Sequence, residues 1–429
     1  MIAKDWKRIF NRYLGVKMAS RASSDDSLGG GGGHRHPAYE LHRSYERDTH
    51  CTGMTGDTGI SLSEEREDAD YGLSPDLAER LVKRTEMRVA QVVASSSYVQ
   101  RYCGLYQLPR FDLVDFELGD LIAFGGFSNV YEVKHFNVES ELTEEPENQK
   151  QNYVVKHLNP KLAYNPKKLV VGAKDLVMEA HFLSALDHEN IIKLRGWSAA
   201  GIGGFAATGR ADGFFLILDR LSMTLAKKIS YWREDAKTRK GLMKGRSSEK
   251  NRLFQERLKS AIDVCSAVTY LHERRILFRD LKPANVGFDS KDVLKIFDFG
   301  LAVEIPFHAD PDTTFKLAGN TGTSRYMAVE VIRKEPYNLR ADVFSYSILL
   351  WEIMALAKPY EGLVGNQVKE SVSVFGERPS VPRSWPVAIR RLLRRGWSES
   401  ISNRPTMDEI LKTLTKVLES SVKSSGKLY

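Results

Sequence analysis

Three cysteines in 429 residues, Cys51, Cys103 and Cys265, are too few and too scattered for a disulfide framework or a thiolate metal site. Their scarcity fits a reducing compartment, and a cytoplasmic location is expected. Long apolar runs are missing as well. No stretch reaches the roughly 18 uncharged apolar residues that a membrane helix needs. The nearest, Val343–Ala357, is short and carries Glu352. The N-terminus has no unbroken apolar core, so no secretory signal is expected. An excess of one charge is also missing. Lys and Arg number 63 against 55 Asp and Glu, a net charge of +8. That surplus is too small to argue for a nucleic-acid partner. No internal repeat is found.

What is present is a chain with 42% hydrophobic residues, enough for a large core and for two or three domains by length. Residues 1–18 read as an amphipathic basic helix. Ile2, Trp6, Ile9, Phe10, Tyr13 and Leu14 recur at three- and four-residue steps, with Lys4, Lys7, Arg8 and Arg12 between them. Such a helix is expected either to lie on an anionic membrane surface or to act as an import or docking helix, which would make the protein membrane-peripheral or organellar. The alternatives are a helix packed on its own domain or an unstructured tail. Residues 19–73 are polar, with the run Gly29–Gly33, and are expected to be disordered. Residues 74–110 are expected to form a helical linker. Ser74-Pro75-Asp76 reads as an N-cap followed by proline at the first helical position. Leu77, Leu81, Val89 and Val92 mark the apolar side of a helix reaching about Val93.

From Phe111 the texture changes. Short β-type runs occur at Phe116–Ala123, Asn129–His135, Tyr153–His157 and Phe214–Leu218, and a helical pattern covers Ala173–Leu186. After about Leu253 the pattern is mostly helical. Strands first and helices later predict an α+β fold in two lobes, spanning residues 111–422.

Two segments carry the chemistry. One is Phe278-Arg279-Asp280-Leu281-Lys282-Pro283-Ala284-Asn285; the other is Asp298-Phe299-Gly300. Phosphoryl transfer asks little covalent help of a protein. It needs a base-like carboxylate at the incoming hydroxyl, oxygen ligands for phosphate-bound Mg²⁺, and cations on the phosphates. Asp280, Asn285 and Asp298 can supply the first two, and Lys282 can reach the transferred group. Taken singly, Asp and Asn are ordinary turn residues; the joint spacing is what carries the argument.

The pair of segments resembles the catalytic loop and metal-binding segment of the eukaryotic protein kinase family. The resemblance extends over about Phe111 to Val422. It implies a bilobal kinase fold, ATP and Mg²⁺ as cofactors, and protein hydroxyls as substrates. It assigns Asp280, Lys282 and Asn285 to catalysis and Asn285 and Asp298 to the metal. Lys156, in Tyr153-Val154-Val155-Lys156, matches the phosphate-binding lysine, and Glu179 its partner on helix C. The segment Ala123-Phe124-Gly125-Gly126-Phe127-Ser128-Asn129-Val130 covers the glycine loop. Only Gly125 matches the family's glycines there. Val154, Asp219, Leu221 and Gly287 complete the expected ATP-binding set.

Gly287 stands where an aliphatic residue usually floors the adenine pocket; Phe288 and Leu221 are candidates to refill that space. Phe278 replaces the usual His or Tyr and is expected to join Phe299, Leu183 and Leu194 in an apolar column. Glu330, Asp342 and Arg404 match structural positions: a Glu330–Arg404 pair, and an aspartate bonded to the catalytic-loop backbone. Thr313, Thr314 and Thr321 are candidate phosphorylation sites opposite Arg279. Thr323 is expected to contact Asp280 and Lys282. Lys282 after Asp280 favours Ser/Thr substrates, and the helix-C and Asn403-Arg404-Pro405 regions look most like the tyrosine-kinase-like branch. Three stretches read as insertions: Glu139–Glu147, Gly201–Gly213 and the basic Arg233–Arg252, a solvated loop or an anion-binding patch. The competing class is a pseudokinase scaffold, favoured only by the altered glycine loop and Gly287.

Overall fold

β-Branched and aromatic residues dominate the stretches that the structure, a computed structural model, pairs into one sheet. It describes residues 72–139, 142, 152–242, 247–308, 310 and 312–425; the amphipathic helix read at residues 1–18 and nearly all of the polar segment after it lie outside them. The strands are β1 (Arg110–Phe111), β2 (Phe116–Phe124), β3 (Ser128–Phe136), β4 (Tyr153–Leu158), β5 (Leu194–Ser198) and β6 (Phe215–Asp219). Their order is β1-β5-β6-β4-β3-β2. Only β1 runs parallel to its neighbour. Phe111, Phe116, Val133, Tyr153, Val155, Phe215 and Ile217 form the core on one face.

Helix α1 is Pro75–Ser95, α2 is Ser97–Tyr102 and α3 is Pro166–Ala185. Helix α3 starts seven residues before the expected Ala173. Pro166 opens it and the Asn165 side chain accepts from the Lys168 amide, a cap that precedes the apolar pattern. The region read as a linker does not stand apart from this body. Helix α1 packs along α3, and its inner face, Ala78, Leu81, Thr85, Val89, Val92 and Val93, is buried. Thr85 sits in that apolar stripe because its hydroxyl donates to the Leu81 carbonyl at 2.8 Å. Just ahead of α1 the chain meets the glycine-rich insertion, where the Leu73 amide donates to the Gly209 carbonyl.

The second lobe is built on helices Leu225–Leu242, Ser247–Glu273, Arg340–Ala355, Gly365–Ser373, Val387–Gly396 and Met407–Ser425. The basic insertion is not a plain loop. Two helices run into it from either side, as a proline-free stretch rich in Lys, Arg and Glu permits. Small antiparallel strand pairs carry the functional loops. Ile276–Leu277 pairs with Val303–Glu304, and Val286–Phe288 pairs with Leu294–Ile296.

Candidate active site

Lys156 lies in β4, in register with Val130 of β3 and Leu216 of β6. Its Nζ donates to Glu179 Oε2 at 2.6 Å and to Asp298 Oδ1 at 3.1 Å. Glu179 comes from α3 and is 1% exposed. A surface Lys–Glu pair is worth little, but here loss of one partner strands a buried charge. Burial alone pushes the Lys156 ammonium towards deprotonation. The carboxylates of Asp298 and Glu179 outweigh that, and its pKa is held above the ordinary lysine value. The cleft therefore keeps a fixed cation.

Asp298 is presented by a left-handed backbone, φ 72°, a conformation that costs energy outside glycine and clusters at functional sites. The next residue anchors it. The Phe299 ring meets Phe278 edge-on, with centroids 5.0 Å apart, and both rings are fully buried. Leu183 and Leu194 are buried too. Phe278 thus packs on Phe299 as expected, with an apolar ring in place of the usual His or Tyr.

Asp280 is held from three sides. Its Oδ2 accepts from Lys282 Nζ at 2.8 Å and from Asn285 Nδ2 at 3.0 Å, and its Oδ1 accepts from Thr323 Oγ1 at 2.8 Å. Lys282 also donates to Thr323 Oγ1, at 2.9 Å. The loop's backbone hangs on Asp342, whose carboxylate accepts from the Phe278 and Arg279 amides at 2.8 and 2.9 Å. Further down, Arg404 forks onto both oxygens of Glu330 at 2.6 and 2.7 Å, with the guanidinium fully buried.

Two contributors carried no clear signal. His272 Nε2 lies 3.1 Å from the same Asp342 carboxylate, but its partner is 70 residues away. Gly322 has φ +102°, and a Cβ there would lie 2.4 Å from the Arg279 carbonyl oxygen. Only glycine lets the docking segment come this close to the catalytic loop. Its place directly before Thr323 was the available clue.

Other expected residues sort themselves by geometry. Ala123 and Phe124 end β2, Ser128 begins β3, and Gly125–Phe127 turn between them, with the Gly125 amide donating to the Ser128 carbonyl. Phe127 packs on α3 at Gly172. Val154 is buried in β4. Leu221 fills the space beside Gly287: a Cβ on that glycine would meet Leu221 Cδ1 at 2.8 Å. The Asp219 carboxylate is held by Arg195 at 2.7 Å. Thr314 is exposed, Thr313 meets His308 Nδ1 at 2.7 Å, and the Thr321 hydroxyl donates to the Ala318 carbonyl at 3.0 Å.

Comparison with known proteins agrees with this geometry. The family model described as "Protein tyrosine and serine/threonine kinase" matches residues 116–414. The chain belongs to this family. Relatives of the kinase include the Arabidopsis thaliana serine/threonine-protein kinase STY46, 39% identical over 159 residues, 37% of this chain and 27% of that one. The Dictyostelium discoideum dual specificity protein kinase shkB is 39% identical over 161 residues, 37% of this chain and 24% of that one. The Arabidopsis thaliana serine/threonine/tyrosine-protein kinase HT1 is 35% identical over 160 residues, 37% of this chain and 39% of that one. These matches span about a quarter to two-fifths of the relatives' length. They favour the tyrosine-kinase-like branch and lend no support to the scaffold alternative. Among the described residues, no helix of this kinase is long and apolar enough to cross a membrane.

Proposed function

We propose that this chain transfers the γ-phosphoryl group of ATP to Ser or Thr hydroxyls of protein substrates. The observation that carries the reading is Lys156, which bonds at once to Glu179 and Asp298. That contact joins strand, helix and metal-binding segment, the alignment that kinase chemistry requires. In this reading Lys156 holds the α- and β-phosphates, and the backbone amides around Gly125 and Gly126 cap them. Asp280 orients the substrate hydroxyl and takes its proton. Lys282, anchored between Asp280 and Thr323, sets a cation beside the group in transfer.

Asn285 and Asp298 would hold Mg²⁺. The Asn285 amide N–H₂ is spent on the Asp280 carbonyl and carboxylate, which leaves its side-chain oxygen as a ligand of the kind that hard cations take. When bound, Mg²⁺ supplies charge neutralisation on the phosphates. The amphipathic stripe of residues 1–18 supports a membrane-surface or docking role for that segment. Equal liposome co-sedimentation with and without residues 1–18 would reject its membrane form.

The test of the main reading is phosphate incorporation into a generic basic protein from Mg·ATP, compared with Asp298→Ala. Labelling is expected from the parent chain and at least about 10³-fold less from the variant. Equal labelling by both sinks the assignment.

A further inference from the structure

We infer that Glu304 is a positioning residue: it latches the N-terminal strap, residues 72–111, onto the activation segment and so holds helix α3 in its working place. The inference rests on the phosphotransfer reading above. Glu304 ends the short strand Val303–Glu304, which pairs with Ile276–Leu277 directly before the catalytic loop. Its carboxylate gathers the first turn of α2. Oε1 accepts from the Ser97 amide at 3.0 Å, the Ser97 hydroxyl at 2.9 Å and the Tyr98 amide at 3.1 Å. Oε2 accepts from the Ser96 hydroxyl, from the Tyr98 amide at 3.0 Å and from the Val99 amide at 3.4 Å. Hydrogen bonds to an ionised acceptor are the strong ones, and this acceptor collects them from four consecutive residues.

The latch leads straight to α3. The Tyr98 hydroxyl donates to the carbonyl of Ala185, the last residue of α3, at 3.2 Å. The same hydroxyl accepts from Arg274 Nε at 3.0 Å, at the end of helix Ser247–Glu273. The Arg274 guanidinium in turn lies 3.4 Å over the Tyr270 ring centroid. Five residues on, the Cys103 thiol meets Ser184 Oγ at 3.2 Å, and the Gly104 amide donates to the Ser184 carbonyl, also at 3.2 Å. The strap then ends in the sheet: Tyr106 packs edge-on against Trp197, Arg110 lies over the Trp197 ring, and β1 pairs with β5. At its start, Leu73 is bonded to the insertion at Gly209, and α1 covers α3.

Helix α3 carries Glu179, and where that helix stands decides whether Glu179 reaches Lys156. In this chain the helix is bound along its length by α1 and at its C-terminal end by Tyr98 and Gly104. Glu304 fixes that second grip to the same strand pair that delivers Phe278, Arg279 and Asp280. Loss of the carboxylate takes the acceptor from the Ser97 and Tyr98 amides, leaves the Val99 amide only the Ser96 hydroxyl, and frees the grip on Ala185. Lys156 then loses its fixed partner, and the phosphates lose Lys156.

The test compares the full chain with Glu304→Ala and Glu304→Asp by amide hydrogen exchange, Mg·ATP affinity and turnover. Glu304→Ala is expected to speed exchange at Ser97–Val99 and along Pro166–Ala185, to weaken Mg·ATP binding and to lower turnover by about tenfold or more. Glu304→Asp should fall between. Ser97→Glu, a change at an exposed position, sets a second carboxylate against Glu304 and should act in the same direction should the alanine variant fail to fold. Ser97→Ala keeps its backbone amide and should be mild. Unchanged exchange along Pro166–Ala185 overturns the inference. Faster exchange with unchanged affinity and turnover also overturns it, for the strap would then be scaffolding only. A parent chain without transfer activity defeats the phosphotransfer reading alone, and exchange and affinity still decide the latch.

Discussion

At Asp280 every lone pair that faces the protein is used, and that sets what its nearest isostere would do. Asparagine keeps the shape, and one side-chain oxygen can still accept from Thr323. Its N–H₂, however, would face the Lys282 ammonium and the Asn285 amide, donor against donor. Asp280→Asn is therefore expected to cut turnover by about 10³-fold or more, while Mg·ATP affinity measured by calorimetry stays close to normal. Near-normal turnover would remove Asp280 from the mechanism. A second carboxyl works in the opposite sense. Glu352 is buried and its pKa is pushed up to about 7; burial is the main cause, opposed by the hydrogen bond from the Tyr326 hydroxyl and by the charge of Arg325. A carboxyl raised in the fold is at ease when protonated. It begins to cost stability as pH rises above its unfolded value of 4.5, and the cost is complete above about 7. Glu352→Gln removes the ionisation and keeps an oxygen for Tyr326. Its unfolding free energy from urea titration should exceed that of the parent at pH 8, by an amount on the order of 1–3 kcal/mol, and converge with it near pH 5. A variant less stable at pH 8 contradicts this.

Among the elements, the activation segment is the one for which control by phosphorylation is proposed. The Arg279 guanidinium donates to the Leu301 carbonyl and reaches the Tyr337 hydroxyl, both neutral. Among the described residues no ion pair joins it to a carboxylate, Asp310 and Asp312 included. A doubly charged phosphate is its natural partner. Alanine at Thr313, Thr314 and Thr321 together is thus expected to hold the kinase in its low-activity state, with phosphosite mapping showing one of the three occupied in active protein. Full activity of the triple variant would dismiss the switch. The same scale shows what the sequence could and could not convey. Strands such as Tyr153–Leu158 were legible because valines and aromatics cluster there, and α1 because Ser74-Pro75 announces its start. Which surface α1 covers was not legible, since a stripe of Leu81, Val89 and Val92 specifies burial and not a partner. Asp219 was read as a cleft residue, and nothing in the chain order hints that Arg195, one strand away, takes its carboxylate. Glu304 drew no reading at all, for Ser97 meets it across 207 residues.

For the molecule as a whole, Lys156–Asp298 is one of the polar links that join the two lobes. A ligand that binds across that link stabilises the folded state by mass action, about 2.7 kcal/mol at a hundredfold excess over Kd. Mg·ATP should accordingly raise the melting temperature of the parent by several degrees and that of Lys156→Met by much less. Equal shifts would place the nucleotide elsewhere. The strap has a further consequence, in the order of synthesis. Ser97 leaves the ribosome well before Glu304, and at about 5–20 residues per second the interval is about 10–40 s. Through that interval the Ser97 and Tyr98 amides lack the Glu304 carboxylate, so a newly made chain cannot close its latch until the whole N-terminal lobe and the catalytic loop exist. Nascent chains stalled short of Val303 should leave Ser97–Tyr102 open to protease, and chains carried past the following helices should protect it. Competence for phosphorylation would then arrive as one late event in the life of each molecule, timed by the length of its own polypeptide.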